Sequence, residues 1–84
     1  MLYYLIVCRS LTYAQRTAEA LERAGISAYL IRSPKSIGGA GCSHSVKVSQ
    51  RNLSDALMVL RRSGPAPRRV VAMEPDGGHQ EVDL

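Results

Sequence analysis

The sequence contains no tryptophan and no phenylalanine, so its four tyrosines are the only aromatic residues. A hydrophobic core must therefore be built from leucine, valine, isoleucine and those tyrosines. Hydrophobic residues make up 45% of the 84 residues, which is enough for one folded domain and too little for two separate cores. The chain length therefore predicts a single small domain, and the composition predicts a core of leucine, valine, isoleucine and tyrosine.

Cysteine is also scarce, since the chain has only Cys8 and Cys42. Two cysteines do not make the disulfide framework of a small secreted protein, and a reducing compartment keeps both as thiols. Together with His44 and His79 they stand at spacings that match no known zinc pattern. We therefore expect no metal and no other cofactor.

Long hydrophobic runs are absent as well. The longest apolar segment, residues 2–8, is too short to cross a bilayer and is followed at once by Arg9. It also lacks the basic leader of a signal peptide. These absences argue against a membrane protein and predict a cytoplasmic location.

Acidic residues are rare in most of the chain. All 11 lysines and arginines lie in residues 1–73, whereas four of the seven acidic residues lie in residues 74–84. The net charge of +4 therefore describes a basic body with a short acidic tail. A basic body attracts nucleic acid, an anionic ligand or an acidic protein, and charge alone does not choose between these partners.

Alternation and spacing of apolar residues predict six regular elements. Four segments have the continuous or alternating apolar pattern of strands: residues 2–8, 27–32, 45–48 and 69–73. Two have helical spacing: residues 12–24 and 50–62. The order βαββαβ is typical of an α+β, ferredoxin-like split βαβ domain. We expect residues 1–73 to form a four-stranded antiparallel sheet ordered 4-1-3-2 with both helices on one face, and residues 74–84 to be a flexible tail.

The first helix has signals at both ends. Thr12 followed by Gln15 fits a capping box, although Ser10 is also placed to cap the helix. Gly25 ends the helix, and Ile26 is placed for the hydrophobic contact of a Schellman motif.

The segment between the second and third predicted strands, residues 33–44, differs from the rest of the chain. It contains three glycines in four residues, followed directly by Cys42. Glycine lets a backbone approach another molecule closely, at an entropic cost that a plain connection would avoid. The residues therefore suggest a reactive thiol, Cys42, presented on a loop.

The predicted topology gathers positive charge and other reactive groups near this loop. Six basic residues belong to the same end of the sheet as Cys42: Arg9, Arg32, Lys35, Arg61, Arg62 and Arg68. Positive charge and the nearby start of the first helix favour the thiolate, the nucleophilic form of cysteine. Cys8, at the end of the first strand, is either a buried hydrophobe or a resolving partner for Cys42. His44 is either an ordinary surface residue or a group that assists the thiol.

The loop sequence PKSIGGAGCSHSVKV, which follows a strand, a helix and a strand, also resembles a known family. Over residues 2–73 the chain is similar to the selenium/sulfur carrier-like family, whose members have a Pro-basic-x-aliphatic segment leading to a cysteine. The positions that match are Ser10, Gly25, Pro34, Lys35, Ile37 and Cys42. Ser43 departs from the pattern, because glycine often stands there, and the spacing from Pro34 to Cys42 is slightly longer.

This resemblance implies a carrier rather than a self-sufficient enzyme. Cys42 would accept sulfur or selenium from a donor protein, hold it as a persulfide or its selenium counterpart, and pass it to an acceptor protein. The residues implied in partner binding are Arg9, Ser10, Pro34, Lys35, Gly38, Gly39, Gly41 and Ser43. No acid/base pair or catalytic triad is visible in the sequence.

Two alternatives come from other classes of protein. One is a nucleic-acid-binding module that uses the basic end of the domain. The third predicted strand, residues 45–48, has no aromatic ring on which a base can stack, which argues against this module. The other is an interaction domain whose open sheet face pairs with a partner or with a second copy of the chain.

Overall fold

The computed structural model describes residues 3–34, 37, 44–67 and 69–82. In this part of the chain five strands form one sheet: β1 (Tyr3–Cys8), β2 (Tyr29–Arg32), β3 (His44–Ser49), β4 (Arg69–Met73) and β5 (His79–Val82). Helices α1 (Leu11–Arg23) and α2 (Leu53–Ser63) follow β1 and β3, and a 3-10 turn, Gln50–Asn52, leads into α2. The α+β class predicted from the sequence is confirmed.

The strands lie side by side in the order β2-β3-β1-β4-β5, and every neighbouring pair is antiparallel. The central strand is β1, whose Ile6 is paired with Val46 of β3 on one side and with Val70 of β4 on the other. A strand that is buried on both faces needs apolar residues at successive positions. This explains why β1 has the sequence YYLIVC, with its last four residues all buried.

The prediction of a four-stranded sheet is wrong, because residues 79–82, assigned from the sequence to the tail, form β5. This strand pairs with β4, so that Val82 lies opposite Val70 and Glu81 lies opposite Val71. It extends the sheet by one edge strand beyond the four that were expected.

The turn between β4 and β5 shows why the tail returns to the sheet. The amide of Glu74 donates to the carbonyl of Gly78 at 2.9 Å, and the amide of Gly77 donates to the carbonyl of Glu74 at 3.1 Å. Gly77 has a φ of +92°, a conformation that favours glycine. Asp76 accepts the amide of Gly78 through its side chain at 2.8 Å. The Asp76-Gly77 pair is a hairpin signal in the sequence that the expectation of a tail did not take into account.

The two helices begin differently from the sequence-based expectation. Ser10 caps α1, since its side-chain oxygen accepts the amide of Tyr13 at 3.3 Å. The sequence left Thr12 and Ser10 open as caps of α1, and the structure uses Ser10. The predicted start of α2 is about one turn too early, because Gln50–Asn52 form the 3-10 turn.

The end of α1 agrees with the prediction. The amide of Gly25, whose φ is +82°, donates to the carbonyl of Glu22 at 3.0 Å. The amide of Ile26 donates to the carbonyl of Leu21 at 2.9 Å. These two bonds define a Schellman motif, and they direct the chain from α1 back toward the sheet.

One face of the sheet, called the helix side below, packs against both helices. Its buried cluster joins β1, β3, β4, both helices and the turn after α1: Ile6, Cys8, Ala14, Leu21, Ile26, Ala28, Val46, Val48, Ala56, Leu60 and Val70. The apolar stripe predicted for the second helix supplies Ala56 and Leu60. No buried member of this cluster is aromatic, and Tyr4, one of the four tyrosines expected to help fill the core, packs against it while only partly buried.

The other face, called the loop side below, holds a second and smaller buried cluster of Leu5, Val7, Ile37, Val71 and Met73. Ile37 comes from the segment between β2 and β3 and is only 1% exposed. Leu5 and Val71, in the middle of the sheet, are completely buried. We expected an open face here from the sequence, and the structure shows that its centre is covered from within the chain.

Candidate thiol site at the end of the central strands

Three polar side chains form a row across the sheet where β1 ends and β3 begins. His44 is paired with Cys8 of β1 on one side and with Arg32 of β2 on the other. Paired residues of antiparallel strands point to the same face, with Cβ atoms about 4.5–5.5 Å apart. Since Cys8 belongs to the helix-side cluster, the whole row lies on the helix side. The loop therefore rejoins the sheet directly beside Cys8.

Cys8 is packed against α1. Its side chain is 7% exposed, and its Sγ atom lies 3.4 Å from the carbonyl oxygen of Ile6 and 3.9 Å from Oγ1 of Thr17. Thr17 is itself buried on α1. From the sequence, Cys8 was either a buried hydrophobe or a second reactive thiol, and its packing is that of a buried residue with polar neighbours.

A cavity of about 210 Å³ opens beside Cys8. Its walls come from the end of β1, the start of α1 and the segment that leads into β4: Ile6, Val7, Cys8, Arg9, Tyr13, Thr17, Pro65, Ala66 and Pro67. It is smaller than the pockets of about 300–1,000 Å³ that hold drug-sized ligands. It has room for a group of a few atoms near the largely buried thiol.

Arg9 and Ser10 form the turn from β1 into α1. The guanidinium carbon of Arg9 lies 5.1 Å from the centroid of the Tyr13 ring, within the range of a cation–π contact. Ser10 uses its hydroxyl oxygen to cap α1. The N-terminus of a helix carries a partial positive charge. Arg9 and the start of α1 therefore add positive potential beside the cavity, and Ser10 fixes the turn between them.

Further positive charge lies at the end of α2. Arg61 and Arg62 are exposed in its last turn, and the residues that follow, Pro65–Pro67, line the cavity beside Cys8. Arg32 is exposed at the end of β2. Lys35 and Arg68, which were also expected at this end, lie outside the described residues.

The segment after β2 is held on the loop side of the sheet. The Oγ atom of Ser33 lies 2.6 Å from Oγ of the buried Ser45 in β3. Pro34 accepts the amide of Ile37 at 3.0 Å, and the side chain of Ile37 packs into the loop-side cluster. The other predicted site residues of this segment lie outside the described residues: Lys35, Gly38, Gly39, Gly41, Cys42 and Ser43.

Arg69, which was not among the site residues predicted from the sequence, contacts the same segment and is bound in turn by Glu81, which was not predicted either. Arg69 donates from Nη1 to the carbonyl oxygen of Ile37 at 2.5 Å. It also donates from Nε and Nη2 to the carboxylate of Glu81 at 2.7–2.9 Å. These hydrogen bonds hold the pKa of the Glu81 carboxyl below its usual value. The Asp76-Gly77 pair, a hairpin signal three residues before the start of β5, was the available signal for Glu81.

A family model described as "Putative Se/S carrier protein-like" matches residues 3–72. The chain belongs to this family. The match runs from the start of β1 into β4, so β5 and Glu81 lie beyond the matched residues. No curated protein and no solved structure matches the chain. The resemblance stated from the sequence is confirmed.

Among the described residues of this Se/S carrier-like chain, His79 lies apart from the other candidate metal ligands, Cys8 and His44. His79 is opposite Met73, which is opposite Tyr3, so it lies at the far end of the sheet from Cys8 and His44. Over the described ranges, no three His, Cys, Asp or Glu side chains are grouped so that they can hold a metal ion. Nor does any helix within those ranges have the length and apolar character needed to cross a bilayer.

Proposed function

We propose that this chain carries sulfur or selenium on Cys42 and transfers it from a donor protein to an acceptor protein. The observation that carries the proposal is the family match over residues 3–72, which includes Cys42. In the sequence Cys42 directly follows the glycine-rich segment, as expected for a thiol that must approach the reactive group of another protein.

The proposed transfer conserves atoms and electrons. The thiolate of Cys42 attacks the outer sulfur of a donor persulfide, so the donor S–S bond breaks as a new S–S bond forms on Cys42. The donor leaves as a thiolate, and Cys42 now carries the persulfide. An acceptor thiolate then attacks the outer sulfur in the same way and releases the Cys42 thiolate. Selenium in the outer position follows the same steps.

The register of the sheet supports a location for this chemistry beside Cys8. Cys42 precedes His44 by two residues, and two peptide units span at most about 7 Å. His44 is paired with Cys8, so chain connectivity favours a position for Cys42 close to the end of β1. The exposed Arg9 and Arg32 at this end would favour a thiolate or a persulfide anion.

Cys8 is proposed as a resolving thiol. If it attacks the inner sulfur of the Cys42 persulfide, the products are a Cys8–Cys42 disulfide and hydrosulfide, or hydroselenide when selenium is carried. A dithiol reductant must then reduce the disulfide before the next cycle. The cavity beside Cys8 supports this role, because it gives a small anionic product space next to a thiol that is otherwise buried.

His44 and the turn residues are proposed to assist transfer and docking. His44 shares a row with Cys8, from which an imidazole can exchange a proton with a nearby thiol. Arg9, Ser10, Pro34, Lys35, Gly38, Gly39, Gly41 and Ser43 are proposed as the surface that meets the donor and the acceptor. The positive charge at this end suits partners with acidic surfaces.

The proposal extends to the type of fold and to the cellular compartment. The order β2-β3-β1-β4 supports a ferredoxin-like split βαβ arrangement to which β5 is added. Because the proposed cycle needs Cys42 as a thiolate between transfers, a reducing compartment such as the cytoplasm suits this chain.

The test is to treat the reduced protein with a low-molecular-weight persulfide, and in a second arm with its selenium counterpart, and to measure the mass of its cysteine peptides. We expect the Cys42 peptide to gain one sulfur or one selenium atom. Alkylation of Cys42 should be half-maximal well below about pH 8.5, the pKa of an ordinary thiol.

Two variants serve as controls. Cys42→Ser should lose the added atom, whereas Cys8→Ser should keep it and release less sulfide. A wild-type protein that gains no atom on Cys42 and alkylates like an unstructured peptide would refute the carrier function. Equal sulfide release from wild type and Cys8→Ser would refute only the resolving role.

A further inference from the structure

We propose that Arg69 and Glu81 are positioning residues that hold Ile37, and with it the start of the segment leading to Cys42, against the loop side of the sheet. The role assigned to Cys42 rests on the proposed function, whereas the contacts themselves do not. Neither residue carries a transferred atom, and both act through the backbone of Ile37.

Arg69 spans two elements that are otherwise far apart in the sequence. Its Nη1 atom donates to the carbonyl oxygen of Ile37, while Nε and Nη2 donate to the carboxylate of Glu81. A guanidinium is a rigid planar fork, so a carboxylate bound on two of its nitrogens fixes the direction of the third. Glu81 therefore aims Arg69 at the carbonyl of Ile37.

The contact is built into the loop side of the sheet. Arg69 is paired with Val7, and Glu81 is paired with Val71, so the two side chains are diagonal neighbours on one face. Val7 and Val71 belong to the cluster that buries the Ile37 side chain. Ile37 is consequently held twice, by its side chain in the cluster and by its carbonyl on Arg69.

Glu81 comes from a part of the chain that the family model does not cover. The family match ends at residue 72, so Arg69 lies inside the matched range and Glu81 lies outside it. The β4–β5 hairpin returns Glu81 to the sheet opposite Val71, where it is the diagonal neighbour of Arg69. The segment beyond the family match thus contributes to holding the segment that leads to the family's cysteine.

The test compares amide hydrogen exchange of the peptide covering residues 33–44 in the full-length wild type and in Glu81→Gln. Loss of the charged acceptor frees the guanidinium to turn away, and we expect exchange of this peptide to rise about tenfold. A peptide from α2 should exchange as in the wild type. Glu74→Gln, an exposed change of the same charge at the other end of the hairpin, is the matched control and should leave both peptides unchanged.

A charge-swapped double variant, Arg69→Glu with Glu81→Arg, separates positioning from simple strand pairing. It restores the ion pair between β4 and β5, but residue 69 then has no donor for the carbonyl of Ile37. We expect normal protection of β5 with fast exchange in residues 33–44. Fast exchange in β5 of Glu81→Gln with no change in residues 33–44 would overturn the proposal.

Loading of Cys42 is measured on the same samples so that the two proposals fail separately. If the wild type gains no sulfur while Glu81→Gln still raises exchange of residues 33–44, the carrier function is wrong and the positioning role stands. If the wild type loads normally and Glu81→Gln exchanges like the wild type in residues 33–44, the positioning role is wrong and the carrier function stands.

Discussion

The helix side and the loop side of the sheet are built in different ways. On the helix side, two helices and three strands bury a cluster of eleven residues. On the loop side, five of the described residues form the buried cluster, and one of them, Ile37, comes from the connection between β2 and β3. The helix side is therefore supported by many independent contacts. Within the described part of the chain, Ile37 is the member of the loop-side cluster that comes from the segment leading to Cys42, so a substitution at Ile37 can release the start of that segment from the sheet.

The two sides also differ in how polar groups are used. On the helix side, polar side chains near the core contact single neighbouring groups. An example is Thr17, whose Oγ1 atom lies 3.9 Å from Sγ of Cys8. On the loop side, Arg69 connects β4, β5 and the backbone of Ile37 through charged hydrogen bonds. Hydrogen bonds between ionised groups are directional and depend on pH, whereas apolar packing is not directional. The comparison predicts global effects from helix-side changes and local effects from loop-side changes.

The largest effect is expected on the helix side. Leu60→Ala removes a completely buried side chain and leaves a cavity between α2 and the sheet, which should lower the free energy of unfolding by about 3 kcal/mol. Urea unfolding followed by circular dichroism measures this loss. Met58→Ala, on the same helix but at a position that is 51% exposed, should change stability by less than about 0.5 kcal/mol. Equal losses in the two variants would contradict the burial pattern of α2.

Ile37→Ala is expected to lower the stability of the whole domain less than Leu60→Ala does, but to expose residues 33–44 more. The variant removes the loop segment's side chain from the loop-side cluster and should cost about 2 kcal/mol. Limited proteolysis is then compared under conditions in which Ile37→Ala and Leu60→Ala have the same free energy of unfolding. Residues 33–44 should be cut faster in Ile37→Ala than in Leu60→Ala. Leu30→Ala, which alters an exposed position of β2, is the control. Slow cleavage of this segment in Ile37→Ala would show that Ile37 does not hold it.

The same substitution at two glycines compares the two sides directly. Gly25 and Gly77 have φ values of +82° and +92°, with open space where a Cβ would lie, so alanine is disfavoured by backbone conformation at both. Each variant should lose about 1 kcal/mol of stability. Only Gly77→Ala, which affects the hairpin bearing Glu81, should raise hydrogen exchange in residues 33–44. An equal rise in Gly25→Ala would remove the distinction between the sides.

The smallest effect is the pH dependence of Glu81. Arg69, mainly through its hydrogen bonds, lowers the pKa of this carboxyl below the ordinary value of 4.5, and His79 on β5 lowers it further. The stabilisation is therefore complete above about pH 4.5 and is lost as the pH falls through the lower folded-state value. Thermal unfolding of wild type and Glu81→Gln should differ at about pH 6, and the difference should disappear once the pH is low enough to protonate the carboxyl in the folded protein. A difference that persists unchanged at the acid end would contradict an ionised Glu81 in the folded state.

Local patterns in the sequence predicted much of the fold. The run in residues 2–8 predicted the central strand, and Gly25 with Ile26 predicted the end of α1. Each of these depends on neighbours in sequence, which is why it can be recognised without the fold. The choice between Ser10 and Thr12 as the cap of α1 was left open, because both have the side-chain oxygen that a cap needs.

Non-local contacts were harder to predict. Residues 79–82 are too polar to suggest a strand, and their pairing depends on the available edge of β4. Ile37 looked like one residue of a family motif, and its burial depends on Val7 and Val71 being together in the sheet. Arg69 was assigned only to the fourth strand, since nothing local indicates that it meets Glu81 and the carbonyl of Ile37.

The amino-acid sequence by itself determined the α+β class, the approximate positions of the main strands and helices, and the family to which the chain belongs. These follow from periodicity, capping residues and the Pro34-to-Cys42 segment, all of which are local in the chain. Only the tertiary structure decided that His44 stands beside Cys8 and that Arg69 joins Glu81 to Ile37. Those contacts depend on strand register and on the fifth strand, because residues distant in sequence meet only once the sheet is assembled.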